Sequence, residues 1–195
     1  MKKLIWIVGG MASGKSTLRD GLIERFATAE PHLVANERQE YVDAGRIASL
    51  GDCLRANQCN GLDSSFNRLK KDGALRNAQY LIQHFDITLI EGSQTSAQWI
   101  LPLCEYCIEN DCKFILIHLN LRLWENFLRL RTRLLTSGKT ERDITDEKLK
   151  SVAAKNSQAE FITKQCEKTE FVKVIRLDTE GMTTDDVLRK TLSLL

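Results

Sequence analysis

The sequence lacks a net charge large enough to identify a partner. Its 195 residues carry 28 Lys and Arg against 26 Asp and Glu, which gives a formal charge of +2. Proteins that coat nucleic acids or anionic membranes usually show a much larger basic excess. A polyanionic partner would therefore have to be met by a local basic patch.

The sequence also lacks a hydrophobic run long enough for a membrane span. No stretch approaches the roughly 18 apolar residues that such a helix needs. The apolar run near the N-terminus covers only about six residues and leads into a glycine-rich loop, so we expect a core strand rather than a signal peptide. The protein is accordingly expected to be soluble and cytoplasmic, with one domain over residues 1–195.

The cysteines lack the spacing of a disulfide framework or of a zinc site. Six of them are scattered along the chain, at Cys53, Cys59, Cys104, Cys107, Cys112 and Cys166. Cys104 and Cys107 form a C-x-x-C, but no second Cys or His pair follows at ligand spacing. We predict that these two pack inside a helix, with metal or redox use as the alternative.

Short apolar runs of β type alternate with helical patterns along the chain. Strands are predicted at Leu4–Val8, His32–Ala35, Ile87–Ile90, Phe114–Leu119 and Val172–Leu177. Helices are predicted at Lys15–Phe26, Leu75–Phe85, Ser96–Asn110, Leu121–Leu135, Asp146–Glu170 and Asp185–Leu195, and Pro102 should kink the third. This alternation predicts an α/β fold, in which helices cover both faces of a five-stranded parallel sheet.

One motif carries the chemistry. Residues 9–17 read GGMASGKST, so Gly9-x-x-x-x-Gly14-Lys15-Ser16 matches the P-loop pattern between a predicted strand and a predicted helix. Backbone N–H groups of such a loop surround phosphate oxygens at the positive end of the helix. The motif predicts binding of ATP with magnesium, with Lys15 on the β and γ phosphates and Ser16 on the metal. The predicted nucleotide-binding residues are Gly10, Met11, Ala12, Ser13, Gly14, Lys15, Ser16 and Thr17.

The loop alone does not separate kinases from GTPases or motor ATPases. The guanine-specificity motif N-K-x-D is missing, because the last strands are followed only by HLN and LDT. A GTPase switch is therefore discounted.

An arginine-bearing helix follows the fourth strand. Arg122, Arg129 and Arg133 share one face of the segment 121–135, and the polar loop 136–146 comes next. Arginines on a mobile element can stabilise the charge of a transferred phosphoryl group and exclude water. We predict a lid over residues 121–146 with Arg129 and Arg133 as catalytic candidates, and a solvated helix face as the alternative.

Carboxylates at strand ends are the remaining catalytic candidates, because the carboxyl ends of parallel strands open onto the ligand crevice. Glu37 follows the predicted second strand and is a candidate base for the acceptor hydroxyl. Glu91 follows the third strand and is a candidate magnesium or acceptor ligand, with a helix-start acid as the alternative. The irregular stretch Val42–Lys71 is predicted to be a small hairpin and loop that binds the acceptor.

The P-loop, the insert with its L-G and C-N-G-L-D, and the E-G at Glu91 together resemble phage-encoded P-loop kinases, including the 5-hydroxymethyluracil DNA kinases. The resemblance covers about Leu4–Ser93. It implies the strand order 2-3-1-4-5, transfer of the γ-phosphoryl group to the hydroxymethyl group of a base in DNA, and Asp63 as a rival to Glu37. A kinase of free deoxynucleoside monophosphates and a nucleotide-binding protein without turnover are the alternatives.

Overall fold

The computed structural model describes residues 1–28, 47–49, 71–92 and 97–195. Its centre is one five-stranded parallel sheet. The strands are β1 (Lys2–Gly9), β2 (Ile47–Ser49), β3 (Ile87–Glu91), β4 (Cys112–Asn120) and β5 (Val172–Asp178). Their order is β2-β3-β1-β4-β5, which confirms the predicted topology.

The central strand β1 is an uninterrupted apolar run because both of its faces are covered. Residues 4–8 are fully buried, as is typical of a strand inside a parallel sheet. β1 lies between β3 and β4, with Leu4 opposite Thr88 on one side and Phe114 on the other. All five strands run in one direction, so their carboxyl ends form a single edge of the sheet.

Helices cover both faces of this sheet. They are α1 (Lys15–Thr28), α2 (Lys71–His84), α3 (Ile100–Glu109), α4 (Leu123–Thr136), α5 (Asp146–Glu167) and α6 (Thr184–Leu194). On one face, Leu18 and Leu22 of α1 pack with Ile5 and Ile7, and α6 lies beside α1. On the other, α2, α3 and α5 bury a second apolar cluster around Trp6. Burial of each large apolar side chain contributes about 1.5–3 kcal/mol.

The second strand differs from the predicted one. Ile47–Ser49 occupies the edge of the sheet, with Ile47 opposite Ile87 in parallel register. The sequence assigned this place to His32–Ala35, which lies outside the described residues, and put Ile47–Ser49 in the acceptor insert. A three-residue strand with all side chains buried has too little periodicity to be recognised. The segment that the sequence assigned to the insert therefore contains one strand of the sheet.

Pro102 is another correction. The sequence placed it in a helix interior, but α3 begins at Ile100, after a 3-10 turn over Ala97–Trp99. Pro102 is thus the third residue of the helix, where an N–H group has no intrahelical acceptor. The proline costs α3 no backbone hydrogen bond.

The helix-packing role of the C-x-x-C pair is confirmed. Cys104 and Cys107 are buried in the cluster around Trp6, and both are free thiols. Within the described residues, no three His, Cys, Asp or Glu side chains are grouped so that they could hold a metal ion. No helix in those parts of the chain is long and apolar enough to cross a membrane.

Candidate functional site

The glycine loop, Gly9–Gly14, connects β1 to α1 at the carboxyl edge of the sheet. Gly14 has a φ of 92°, in the left-handed region that favours glycine. Gly9 is close to other atoms, since a methyl group there would lie 2.6 Å from Ser13 Oγ and 2.8 Å from Leu119 O. Ser13 Oγ is buried, and no described residue is within hydrogen-bond distance of it. The loop thus turns tightly and keeps a buried hydroxyl beside its backbone.

Lys15 folds back over this loop. Its Nζ donates hydrogen bonds to Gly10 O at 2.6 Å and to Gly9 O at 3.1 Å. Burial lowers the pKa of Lys15 to about 8; this value includes an upward effect of the Glu91 charge and a smaller downward effect of the Lys155 charge. Lys15 is therefore a desolvated ammonium group with a second cation nearby.

Lys155 was missed in the sequence. It lies on α5, which also contacts the loop through Ser151 Oγ, 3.7 Å from Met11 Sδ. In the sequence, Lys155 is one of several cations on a charged helix, and nothing marks it out. Only the packing of α5 beside the loop brings Lys155 close enough to affect Lys15.

Glu91 lies at the carboxyl end of β3, as predicted, and forms an ion pair that the sequence did not reveal. Arg19 Nη1 donates to Glu91 Oε1 at 2.5 Å, and Arg19 is only 7% exposed. Arg19 also donates to Asp20 at the same end of α1. A usable signal existed, because Arg19 lies three and four residues before the apolar Leu22 and Ile23. A charge there is directed toward the core.

The N-terminus of α1 carries no acidic residue in its first turn. Ser16 and Thr17 are exposed there, so the Ser16 hydroxyl is accessible. The first N–H groups of a helix have no intrahelical acceptor and attract anions. With Lys15 in the same turn, this end of α1 is suited to a phosphate group.

A cavity of about 210 Å³ opens beside the loop. Its walls are residues of the loop and of α1, Arg129 of α4, and the segment 179–187 after β5; they comprise Ala12, Ser13, Gly14, Thr17, Leu18, Arg129, Thr179, Met182, Thr183, Thr184 and Val187. Arg129 Nη2 is 3.5 Å from Thr179 O, a long contact. The sequence did not identify the segment after β5 as part of the site.

The predicted lid residues fall in different places. Arg129 lines the cavity, whereas Arg133, one turn later, is exposed and does not line it. Arg122 forms an exposed ion pair with Glu180. The predicted polar loop contains a 3-10 turn over Glu141–Asp143 that is capped by a reciprocal Thr140–Asp143 pair.

Two predicted bases, Glu37 and Asp63, lie outside the described residues. The strand at the described edge of the sheet is Ile47–Ser49, whereas Glu37 was predicted from a strand at His32–Ala35, which is also outside the described residues. Both remain predictions. The structure does bring together Lys15, Glu91 and the loop residues around the start of α1.

These residues fit ATP with magnesium. The loop offers backbone donors, the buried Ser13 hydroxyl and the Lys15 ammonium to phosphate oxygens. The Ser16 hydroxyl and the Glu91 carboxylate are oxygen ligands of the hard type that magnesium prefers. The donor set therefore agrees with the predicted cofactors.

No protein-family model matches the chain, and no curated protein matches it at a significant level. Among solved structures, it is similar to a chain of the Pnkp1/Rnl/Hen1 RNA repair complex, with a TM-score of 0.51 and 16% identity over 87% of this chain and 47% of that chain. It thus spans about half of that relative. It is also similar to APE1195 (TM-score 0.50, 16% identity, 99% of this chain and 94% of that one).

A deoxyadenosine kinase from M. mycoides with bound dCMP and dCDP has a TM-score of 0.49 and 15% identity over 98% of this chain and all of that one. At such identities, similarity concerns the fold and not the activity. The shared feature is an α/β fold with a five-stranded parallel sheet in the order β2-β3-β1-β4-β5.

Proposed function

We propose that this chain is an ATP-dependent kinase that transfers the γ-phosphoryl group to a nucleotide-like acceptor. One observation carries the proposal: Lys15 folds over the Gly9 and Gly10 carbonyl groups of the glycine loop, at a start of α1 whose first turn holds no acidic residue. Such a helix start, with an ammonium group in its first turn, favours an anion. A triphosphate supplies the complementary charge.

The donor nucleotide would occupy the loop and the adjoining cavity. Backbone N–H groups of the loop and Lys15 bind the phosphates. The cavity continues from the loop to the segment 179–187, which leaves the nucleoside part of ATP between Arg129 and that segment. Ser16 and Glu91 would hold magnesium. When bound, this ion would neutralise part of the phosphate charge.

Arg19 is proposed as a positioning residue. Its guanidinium group binds the Glu91 carboxylate and so keeps this carboxylate on the side of α1 that bears Ser16. A fixed orientation avoids reorganisation at the moment of reaction.

Lys155 and Arg129 are proposed to neutralise the phosphoryl group during transfer. They approach the loop from α5 and from α4, respectively. Arg133 lies further along α4. It would contribute only if α4 and α5 moved closer to the nucleotide, so it stays a candidate. Closure over the nucleotide excludes water and so favours transfer over hydrolysis.

In the transfer itself, an acceptor hydroxyl attacks the γ-phosphorus. A bond forms between that phosphorus and the acceptor oxygen, the bond to the bridging oxygen breaks, and ADP leaves. The hydroxyl proton passes to a carboxylate, for which Glu37 and Asp63 are the candidates from the sequence. A loose transition state makes little demand on the strength of this base.

For the acceptor we favour the hydroxymethyl group of 5-hydroxymethyluracil in DNA, on the sequence resemblance described above. Local charge supports a polyanion: residues 122–155 contain nine Lys or Arg and five Asp or Glu, against a net charge of +2 for the whole chain. A free deoxynucleoside monophosphate is the alternative acceptor. A nucleotide-binding protein without turnover is the second alternative.

An acceptor screen with γ-labelled ATP tests this function. The acceptors are DNA containing 5-hydroxymethyluracil, the same DNA with thymine, and each free deoxynucleoside monophosphate. Lys15→Ala should lower transfer by at least about a hundredfold, because a phosphate-binding charge is lost. Lys190→Ala, which removes an exposed lysine of α6, is the matched control and should transfer normally.

Each result selects one function. Label in hydroxymethylated DNA but not in thymine DNA supports the favoured acceptor and excludes 5′-end phosphorylation, which both DNAs would permit. Label only in free monophosphates supports the alternative. If ATP binds but no acceptor is labelled, the result supports a nucleotide-binding protein without turnover. Full transfer by Lys15→Ala would contradict the assignment of the glycine loop as the phosphate-binding site.

A further inference from the structure

Two asparagines from different helices meet beside the glycine loop. Asn126 is on α4 and is 1% exposed. Its Nδ2 donates to Leu121 O at 3.2 Å and to Asn156 Oδ1, on α5, at 3.1 Å. This amide pair therefore connects the start of α4 to the middle of α5.

The pair lies directly against Gly10. A methyl group at Gly10 would be 1.6 Å from Asn156 Oδ1 and 2.7 Å from Asn126 Nδ2. No side chain fits there unless the amides move. The backbone of Gly10 is not in the left-handed region, unlike that of Gly9 and Gly14. Position 10 is also a free position of the P-loop pattern. What requires glycine here is thus the close approach of the amide pair.

Packing alone does not hold Asn156 in this place. Its side chain borders a cavity of about 290 Å³, together with Gly10, His118 and Glu160, so it has space to turn away. The hydrogen bond from Asn126 supplies the restraint. Asn126 Oδ1, in turn, is buried, and no described residue is within hydrogen-bond distance of it. An unpaired buried acceptor lowers stability, and an apolar side chain would avoid that cost.

We propose that Asn126 and Asn156 are positioning residues that hold Gly10, and with it the glycine loop, against α4 and α5. The carbonyl groups of Gly9 and Gly10 bind Lys15 Nζ, so the position of Gly10 also sets the position of the Lys15 ammonium. The catalytic consequence rests on the proposed function. A displacement of about 1 Å at a phosphate-binding group can cost about a hundredfold in rate.

Steric rescue tests the contact. Gly10→Ala, Asn156→Ala and the double variant are compared with wild type for ATP dissociation constant, kcat and ligand-free unfolding midpoint. Asn110→Ala is the matched control, because it removes an amide that bonds to Tyr106 O at the end of α3, and it should bind ATP as wild type does.

We expect Gly10→Ala to weaken ATP binding at least tenfold. The double variant should bind ATP within about threefold of Asn156→Ala, because the overlap with Asn156 Oδ1 is removed and Asn126 Nδ2, at 2.7 Å, has lost its bond to Asn156 and can shift. Asn156→Ala should lower kcat about tenfold or more while the unfolding midpoint stays near that of wild type. A merely structural role would lower the midpoint and leave the kcat of the folded enzyme unchanged.

The proposal is overturned if Gly10→Ala binds ATP normally, or if the losses of the two single variants multiply in the double variant. The unfolding midpoints without ligand report on the contact between Gly10 and the amide pair even if the protein does not bind ATP. They therefore distinguish rejection of this contact from rejection of the proposed function. If the wild type binds no ATP, the positioning role falls together with that function. If ATP binds but the midpoints of the cycle are additive, only the contact between Gly10 and the amide pair is rejected.

Discussion

Helices α1 and α6 lie side by side on one face of the sheet, yet they begin in opposite ways. α6 starts with a reciprocal cap, in which Thr183 Oγ1 accepts from the Asp186 N–H and the Asp186 carboxylate accepts from Thr183. Asp185 adds a second acid to its first turn. The first turn of α1 holds no acid and begins with Lys15. One helix start is satisfied by its own chain, and the other is suited to an external anion.

The buried polar groups of α1 and α6 differ in the same way. α6 buries Thr191, whose hydroxyl donates to Val187 O one turn earlier, so its polar group is satisfied locally. α1 buries Arg19, whose charge is satisfied by Glu91 on a distant strand. α6 thus satisfies its buried polar group within itself, although its first turn borders the cavity. α1 connects its buried charge to another element of the fold.

The largest effect should come from the ion pair of α1. Arg19→Met removes the buried guanidinium partner of the Glu91 carboxylate, which is 14% exposed, so we expect the free energy of unfolding to fall by about 3 kcal/mol. Transfer activity should fall with it. Thr191→Val on α6 is the matched control and should cost no more than about 1 kcal/mol, the net contribution of one hydrogen bond between uncharged groups. Urea unfolding measures both.

A second charge removal sharpens this test. Glu91→Gln in the Arg19→Met background should cost less than the sum of the two single changes, because the ion pair between the two side chains can be lost only once. Additive losses would mean that Arg19 and Glu91 do not stabilise each other, and the contrast with α6 would fail.

The next largest effect is expected on the pH dependence of ATP affinity. Burial lowers the pKa of Lys15 to about 8, whereas a bound triphosphate favours the charged ammonium and raises that pKa. Above pH 8, binding must therefore take up a proton, and ATP affinity should fall by up to about tenfold per pH unit. Calorimetry in buffers of different ionisation enthalpy measures the uptake.

The matched variant is Lys15→Arg, whose guanidinium group keeps its charge in this range. It should bind ATP without proton uptake near pH 8.5. Stability has the opposite sign: the unfolded chain holds the Lys15 proton more tightly, so the wild type gains stability as pH rises above about 8, up to the ordinary lysine range. Equal proton uptake by the arginine variant would contradict this assignment.

The same contrast explains how far the sequence could be interpreted. The loop and the place of Glu91 were predictable because each depends on local pattern or on the direction of parallel strands. The strand order was predictable only from the resemblance to P-loop kinases. Arg19 and Lys155 were not identified, since their importance comes from contacts between elements that are far apart in the chain. Local periodicity contains no information about such contacts.

Two further cases have the same physical origin. β2 is buried and three residues long, so its apolar run could not be separated from the surrounding loop pattern. Gly10 was taken as one more loop glycine, whereas its requirement comes from Asn156, on another helix and 146 positions later in the sequence. In both cases tertiary packing determined what the residue does.

The smallest effect should come from the cap of α6. The hydrogen bond from the Thr183 hydroxyl, followed by that from the Thr183 backbone, lowers the pKa of Asp186. Its ionised carboxylate therefore stabilises the fold above the usual aspartate range, and that contribution is lost as pH falls below about 4. Asp186→Asn should lower the unfolding midpoint by about 2–4 °C near neutral pH, and this difference should disappear in acid. Asp185→Asn, in the same turn but outside the cap, is the matched control and should change the midpoint less. Both variants should bind ATP within about twofold of wild type, because neither carboxylate is part of the cavity walls that Thr183, Thr184 and Val187 form. A larger loss for Asp186→Asn than for Asp185→Asn would mean that the cap also positions this side of the cavity.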